Sequence, residues 1–338
     1  MPDISSLQIA TPGVGILAVF LSFILYYVVH VVYLLFFHPL AKFPGPKLAA
    51  ISDLWWVLRL SSGRLPFITE ELHKKHGDVV RIGPNELSFA SAQAFQEIHG
   101  HISKGKARFL KTEFYENDDP TPRITSARDP ELHSRQRKAL SHAFSAQALR
   151  HQEDIIQKYV DGFIQQIARS GENGKTALNM SDTFNWLTFD VIGDLAFGEP
   201  FGSVEQGRAH PWINIILDGV LNAQIIFMRR RRPLYNLILP FILPKGISQN
   251  HKTHRRLGVE KGRRRLAMGD RERDDFFSHM LKKKTLSEKE MISQSPTLII
   301  AGSETTATSL TGTTWFLLKN PECMAKIQKE QACRTCTA

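Results

Sequence analysis

An acid and an alcohol stand side by side in the middle of one long stretch of the chain. Glu304 and Thr305 follow Ala301 and Gly302, so two proton-carrying side chains adjoin two positions with almost no side chain. A carboxyl group and a hydroxyl can hold or pass a proton near a reacting atom. From the residues alone, a solvated glutamate and a threonine that hydrogen-bonds back to its own helix explain the pair as well.

The stretch that must position this pair, Leu286 to Pro321, is predicted to be one long buried helix. Ser287 and Glu290 have the S-x-x-E spacing of a capping box, which begins a helix. Proline at the far end stops the helix because it cannot continue the hydrogen-bond ladder. The many threonines and Gly302 are poor helix formers. This thin and costly centre indicates that another group lies close to the backbone.

A second pair with polar chemistry is His133 and Arg137, in a helix predicted to begin at Glu131. Residues four apart lie on one face of a helix, so the two side chains are predicted to point the same way. Such a pair can bind a shared group. An ordinary surface pair on a solvated helix is the alternative.

The remaining pattern is mainly helical, with one small sheet. A β hairpin is predicted for Val79–Ala90, because two β-rich runs flank Gly83-Pro84-Asn85. Further helices are predicted for Leu65 to Gly77, for Ala146 to Gly171, from Ser181 or Asp182 onward, and for the basic segment 251–275.

Charge and cysteine content restrict the setting of the protein. The net charge of +10 suits an anionic partner without saying which. The first 322 residues contain no cysteine, which excludes a disulfide framework there and fits a cytosol-facing domain. The motif Cys333-x-x-Cys336 is either a chance spacing in a loose tail or a zinc or redox site.

Residues 14–37 carry no Lys, Arg, Asp or Glu and are long enough to cross a bilayer. They are predicted to be a retained anchor. Lysines follow this run and only Asp3 precedes it, so the body is predicted to face the cytoplasm. Residues 38–46 (HPLAKFPGP) are a semi-rigid hinge, with a plain loop as the alternative.

Four consecutive arginines, Arg229–Arg232, separate two apolar runs. They form a solvated face, a second element that touches the membrane, or a patch for nucleic acid or nuclear import. The predicted anchor disfavours nucleic acid, so no nucleic-acid partner is expected.

Several stretches, in order, resemble the membrane-anchored cytochrome P450 monooxygenases of fungal secondary metabolism. The hinge, the hairpin segment HGDVVRIGPNELSF and the segment FDVIGDLAFGEPF each resemble family elements. His133-Ser-Arg-Gln-Arg137 is similar to the family's [W/H]-x-x-x-R. The most specific match is the hexapeptide of residues 301–306 (AGSETT), which is similar to [A/G]-G-x-[D/E]-T-T.

The resemblance implies roles for these residues around a haem (heme) cofactor. Ala301 and Gly302 would leave a gap for dioxygen over the haem plane. Glu304 and Thr305 would handle protons through water. Arg137 would pair with a haem propionate, and His133 would hydrogen-bond it.

Two other family signatures have no counterpart in this sequence. An E-x-x-R and an F-x-x-G-x-R-x-C-x-G loop, which carries the thiolate ligand of the iron, would follow the long helix. No cysteine here stands in that pattern, so no metal ligand is assigned. The eight residues QACRTCTA look unrelated to the family, and a C-terminal truncation is expected.

The predicted fold is mainly α with a small β sheet: the N-terminal two-thirds of a cytochrome P450 fold behind a single transmembrane helix. The predicted segments are a luminal N-terminus (1–13), the anchor (14–37), the hinge (38–46), a partial P450 domain (47–330) and a non-family tail (331–338).

Two functions of different classes follow. The first is oxidation of a lipophilic small molecule with O₂ and electrons from NADPH-cytochrome P450 reductase, at the endoplasmic reticulum membrane. The second is a catalytically inactive, membrane-anchored remnant, either a pseudogene product or the result of an error in the gene structure.

Overall fold

The computed structural model describes residues 12–100, 108–112, 115, 121–216, 247–269, 275–283 and 285–335. They divide into two compact units between Phe109 and Leu110. Within these residues helices predominate and the sheet has two strands, which confirms the predicted mainly α class with a small β sheet. The segment Arg229–Arg232 lies outside the described residues.

The first unit begins with an exposed apolar helix. Helix α1 spans Pro12–Val32 and continues as a π-helical turn, Tyr33–Phe37. Gly13–Phe37 has a mean hydropathy of 2.3, and among the described helices it is the one long and apolar enough to cross a membrane. Its apolar window is not buried against the rest of the chain. It coincides with the anchor predicted for residues 14–37.

Short helices and a hairpin complete this unit. Its elements are α2 (Lys47–Ile51), α3 (Leu54–Ser61), α4 (Leu65–His76), β1 (Val79–Gly83), β2 (Glu86–Phe89) and α5 (Ala92–His99). Helix α4 ends at Gly77, whose φ of +90° is open to glycine and costly for other residues. The strands pair antiparallel, with Val79 opposite Phe89 and Arg81 opposite Leu87, as the hairpin prediction requires.

The second unit is helical throughout its described part. Its helices are α6 (Pro130–Ser141), α7 (Ala146–His151), α8 (Glu153–Ser170), α9 (Met180–Phe197), α10 (Ser203–Gln206), α11 (Ile247–Ala267), α12 (Phe276–Lys283), α13 (Glu288–Lys319) and α14 (Pro321–Thr335). The capping box of Ser287 and Glu290 is present at the start of α13, and Asn320 ends that helix. Both ends agree with the sequence prediction, but the burial predicted for the whole helix is wrong for its second half, where Trp315, Phe316 and Leu318 are exposed.

Two apolar clusters hold α13 in place. The larger joins side chains of α6, α9, α12 and α13, among them Phe189, Phe277 and Ile299, which are fully buried. The smaller joins α8, α9 and α10 to Ala307 on α13. Each fully buried large apolar side chain contributes about 1.5–3 kcal/mol. Helix α9 takes part in both clusters because it is buried on nearly every side.

Two helix boundaries differ from the prediction. The single helix predicted for Ala146 to Gly171 breaks at Gln152, where ψ is −9°. The side chain of Gln152 is fully buried and its Nε2 donates to the carbonyl of Ala143 at 3.3 Å, a contact that no local pattern reveals. Helix α9 begins one residue early because the Asn179 side chain caps it, not Ser181 or Asp182.

The basic segment 251–275, predicted to be a helix with an exposed face, contains a buried ion pair. Arg265 on α11 is 1% exposed. Its Nε donates to Oδ2 of Asp275 at 2.8 Å and its Nη2 to Oδ1 at 3.0 Å. Nη2 also donates to Oγ of Ser278 at 2.7 Å. This guanidinium therefore joins α11 to the start of α12 instead of facing solvent.

Candidate active site

The first half of α13 is enclosed by neighbouring helices. Glycines on α11 allow a close approach: a Cβ on Gly258 would lie 2.7 Å from Cγ of Pro296, and one on Gly262 would lie 2.4 Å from Oγ of Ser295. Small residues four apart let two helix backbones come together in the same way in other proteins. This half of α13 is thereby held as a rigid base for the residues that follow it.

Polar contacts also anchor α13 near its start. Nη2 of Arg135 on α6 lies 2.5 Å from Oε1 of Glu290, the capping-box acid. Oε1 of the fully buried Gln294 accepts from the backbone N–H of Ile124 at 3.0 Å. Sequence reasoning did not identify these two contacts, because their partners are distant along the chain. The first contact holds α6, which carries His133 and Arg137, against the same helix as the acid–alcohol pair. The second holds the segment before α6.

Ala301 and Thr305 share one exposed face of α13, a single turn apart. Oγ1 of Thr305 donates to the carbonyl of Ala301 at 2.7 Å. This is the back-bond that the sequence alone left open as the simple explanation of the threonine. A hydroxyl that donates in this way keeps its acceptor lone pairs, so Thr305 can still receive a hydrogen bond from the exposed side.

Glu304 lies in a different environment from its neighbour. Its side chain is half-buried, and its Oε1 is enclosed without a hydrogen-bond partner among the described residues. Burial raises the pKa of the Glu304 carboxyl above its ordinary value. A carboxyl group with a raised pKa can exchange a proton closer to neutral pH than an exposed one.

Packing between α13 and α9 requires a glycine at position 302. A Cβ at this position would lie 2.5 Å from Cδ1 of Ile192 and 3.3 Å from its Cβ. The glycine therefore lets α13 approach α9, as the thin centre of the helix indicated. The missing side chain of Gly302 faces α9, while Ala301 is the small residue on the exposed face.

His133 and Arg137 are one turn apart on α6, as predicted. His133 is half-buried and Arg137 is exposed. Among the described residues Arg137 makes no hydrogen bond or ion pair. An exposed arginine without a carboxylate partner is free to bind an anionic group.

The residue types on α13 and α6 are compatible with one side of a haem site. An exposed alanine, a threonine hydroxyl and a half-buried acid on α13 could serve the oxygen side, and an exposed arginine on α6 could bind a propionate. The described residues include no cluster of His, Cys, Asp or Glu that could hold a metal ion. Cys323 on α14 is an exposed free thiol. The side chains of Cys333 and Cys336 lie outside the description.

Replacing Glu304 by glutamine is expected to stabilise the chain more at high pH than at low pH. Because burial raises the pKa in the folded state, the folded protein binds more protons than the unfolded one at intermediate pH. The stability of the parent chain therefore falls as pH rises from about 4.3, the unfolded pKa, through the folded pKa. The amide does not titrate, so Glu304→Gln should lose less stability than the parent chain as pH rises.

Urea unfolding of the detergent-solubilised chain between about pH 4 and about pH 8 measures this effect. Glu330→Gln is the matched control, because Glu330 is exposed on α14. Equal pH dependence of both variants would show that Glu304 is not desolvated.

Comparison with known proteins places these features in a family. Residues 44–333 match the family model described as Cytochrome P450. Cytochrome P450 monooxygenase BOA3 of Botryotinia fuckeliana is 40% identical over 314 residues, which cover 91% of this chain and 61% of that protein. Cytochrome P450 monooxygenase btcC of Colletotrichum orbiculare is 38% identical over 326 residues, covering 94% and 62%.

A third relative, cytochrome P450 monooxygenase astJ of Aspergillus oryzae, is 38% identical over 307 residues, covering 88% of this chain and 60% of that protein. The chain thus spans about three fifths of the length of the curated relatives it matches. The family match and these relatives agree with the motifs on α6 and α13. The chain belongs to the cytochrome P450 family.

Proposed function

We propose that this chain forms the oxygen-side part of a haem-thiolate monooxygenase that oxidises a lipophilic small molecule, a secondary metabolite. One observation carries the proposal: Glu304, half-buried with a partnerless oxygen, directly precedes Thr305 on the exposed face of α13. Such an arrangement suits a site that delivers protons to a reacting group.

Each residue has a definite task in this proposal. A haem ligated by thiolate, when bound, supplies the reductive activation of O₂. Ala301 leaves room beside the helix. The raised pKa of Glu304 lets it hold a proton closer to neutral pH. Thr305 accepts a hydrogen bond from a water molecule while donating to the Ala301 carbonyl.

On α6, Arg137 binds a haem propionate through a charge-assisted hydrogen bond. His133, on the same face of the helix, assists it. The exposure of Arg137 and its lack of a partner among the described residues support this assignment.

The setting of the reaction is a further part of the proposal. The apolar helix Gly13–Phe37 anchors the protein in the endoplasmic reticulum membrane, with the body in the cytoplasm. Electrons come from NADPH-cytochrome P450 reductase, whose acidic surface suits the net charge of +10. The names of the relatives, all cytochrome P450 monooxygenases, support the reaction class.

The 338-residue polypeptide expressed alone is proposed to be inactive. No cysteine in its sequence stands in an F-x-x-G-x-R-x-C-x-G pattern. Without the thiolate ligand, O₂ is not activated, so the residues on the oxygen side have no catalytic role.

The test joins residues 1–330 to the remaining C-terminal part of the Botryotinia relative. The fusion, reduced and treated with CO, should give a thiolate-type Soret band, and the chain alone should not. With a compound that perturbs this band, Thr305→Ala should lower product formed per NADPH at least about tenfold and release peroxide instead.

Thr313→Ala is the matched control, since Thr313 is exposed two turns further along α13. If Thr305→Ala formed as much product per NADPH as the parent fusion, Thr305 would have no role in handling protons. A thiolate-type band from the chain alone would overturn the proposal that it is inactive by itself.

A further inference from the structure

A buried arginine ties together the segments that follow the apolar helix. Arg81 on β1 is 2% exposed. Its Nη1 donates to the carbonyl of Leu34 at 2.8 Å, and its Nη2 to the carbonyl of Pro84 at 2.8 Å. Longer contacts of 3.4 Å reach the carbonyls of Gly83 and Ala50 and Nδ1 of His38. One guanidinium thus joins the end of the apolar helix, the hinge, α2 and the hairpin.

This arginine has no carboxylate partner among the described residues. All its acceptors are neutral carbonyls or an imidazole nitrogen, so its positive charge is solvated by dipoles and not neutralised. Burial lowers the pKa of Arg81 for that reason. Buried charges in proteins are nearly always paired, so an unneutralised buried cation indicates that an anion binds close by.

A cleft of about 190 Å³ opens beside Arg81. This volume is large compared with the ~30 Å³ of one water molecule. Its lining is apolar and cationic, with no acidic residue. The residues that form this anchor cleft are Leu35, Phe36, Ala41, Phe43, Pro44, Gly45, Pro46, Lys47, Ala50 and Arg81.

The anchor cleft lies directly after the apolar helix in the chain, which indicates what kind of ligand can reach it. Its walls come from the last turn of the apolar stretch, which ends at Phe37, and from the hinge that follows. A cleft directly after a membrane span lies at the level of the phospholipid headgroups. Phe36 is 71% exposed and Phe37 is 73% exposed, which suits contact with acyl chains.

We propose that the anchor cleft binds the phosphate group of an anionic membrane phospholipid. Lys47 and Arg81 attract the phosphate, and Leu35 and Phe36 line the path of the acyl chains. This inference rests on the proposed membrane anchoring. It adds a specific ligand to the anchor. The lipid neutralises the buried guanidinium of Arg81 and thereby stabilises the hinge that this guanidinium contacts.

Native mass spectrometry of the full detergent-solubilised chain tests the inference, with phosphatidic acid as the probe. The expected result is a one-lipid adduct whose affinity falls about fivefold in Lys47→Gln, since one basic residue contributes about 1 kcal/mol of attraction to an anionic lipid. Lys47 is exposed, so the fold should survive the change. Lys75→Gln is the matched control, because Lys75 is exposed on α4 and outside the cleft.

Two outcomes overturn the proposal. Equal losses in Lys47→Gln and Lys75→Gln would mean general attraction to a basic surface. Displacement of phosphatidic acid by inorganic phosphate at equal concentration would mean a site for free phosphate. Flotation with neutral phosphatidylcholine vesicles distinguishes membrane anchoring from specific lipid binding. A chain that floats but retains no phosphatidic acid is anchored and lacks the lipid site.

Discussion

Replacing Asp275 by alanine is expected to destabilise the folded chain by about 3–5 kcal/mol. The change leaves the guanidinium of Arg265, which is 1% exposed, without its counter-ion. It also removes the acceptor for the backbone N–H of Ser278, which donates to Oδ1 at 2.8 Å. Removing one partner of a buried ion pair costs far more than losing one on the surface, because the remaining charge cannot reach water.

Chemical unfolding of the full chain in detergent measures this loss. Arg264→Ala is the matched control, because Arg264 is adjacent in sequence but exposed and paired with Glu260 on the surface of α11. An exposed pair of this kind contributes about 0.3–0.5 kcal/mol. The double variant Arg265→Met, Asp275→Leu should recover much of the loss, since it removes both charges. A loss in Asp275→Ala no larger than that in Arg264→Ala would contradict the buried pair.

Replacing Gly258 by leucine is expected to destabilise the chain by about 3 kcal/mol. The new side chain meets Pro296, whose backbone nitrogen and Cα lie 3.1 Å from the ideal Cβ position. Backbone atoms cannot rotate away, so α11 must move from α13 and open the enclosed half of the helix.

Alanine at the same position gives a sharper test, because glycine and alanine differ in helix propensity. Gly312→Ala on α13 should stabilise the chain by about 1 kcal/mol, since a Cβ there meets nothing within 4 Å. Gly258→Ala gains the same propensity but should still lower the melting temperature. A gain of stability in both variants would show that α11 and α13 are not in close contact at Pro296.

Local signals explain what the sequence predicted well. The start of α13 follows from Ser287 and Glu290, which bond to each other within one turn, and its end follows from a proline. The hairpin around Gly83-Pro84-Asn85 depends on neighbouring residues in the same way. In each case the interacting groups are close together in the sequence, so a pattern is sufficient.

The features that the sequence missed depend on contacts between separate elements, which no local pattern reveals. Gln152, at the break between α7 and α8, donates to the carbonyl of Ala143, and Arg265 forms a buried pair with Asp275. The composition of α13 predicts a close approach at its centre, yet only the structure shows that Gly302 faces Ile192. For the candidate site, family motifs indicated Glu304 and Thr305, whereas the enclosed carboxyl oxygen of Glu304 required the surrounding helices to be known.

The contact between Arg81 and Leu34 has a consequence for biosynthesis. The two residues are 47 positions apart, so the apolar helix is synthesised well before its partner. At about 5–20 residues per second, the interval is several seconds on the ribosome. During that time the last turn of the helix has no partner on β1. The contact can form only after β1 has emerged, so the apolar helix leaves the ribosome before it is attached to the hairpin.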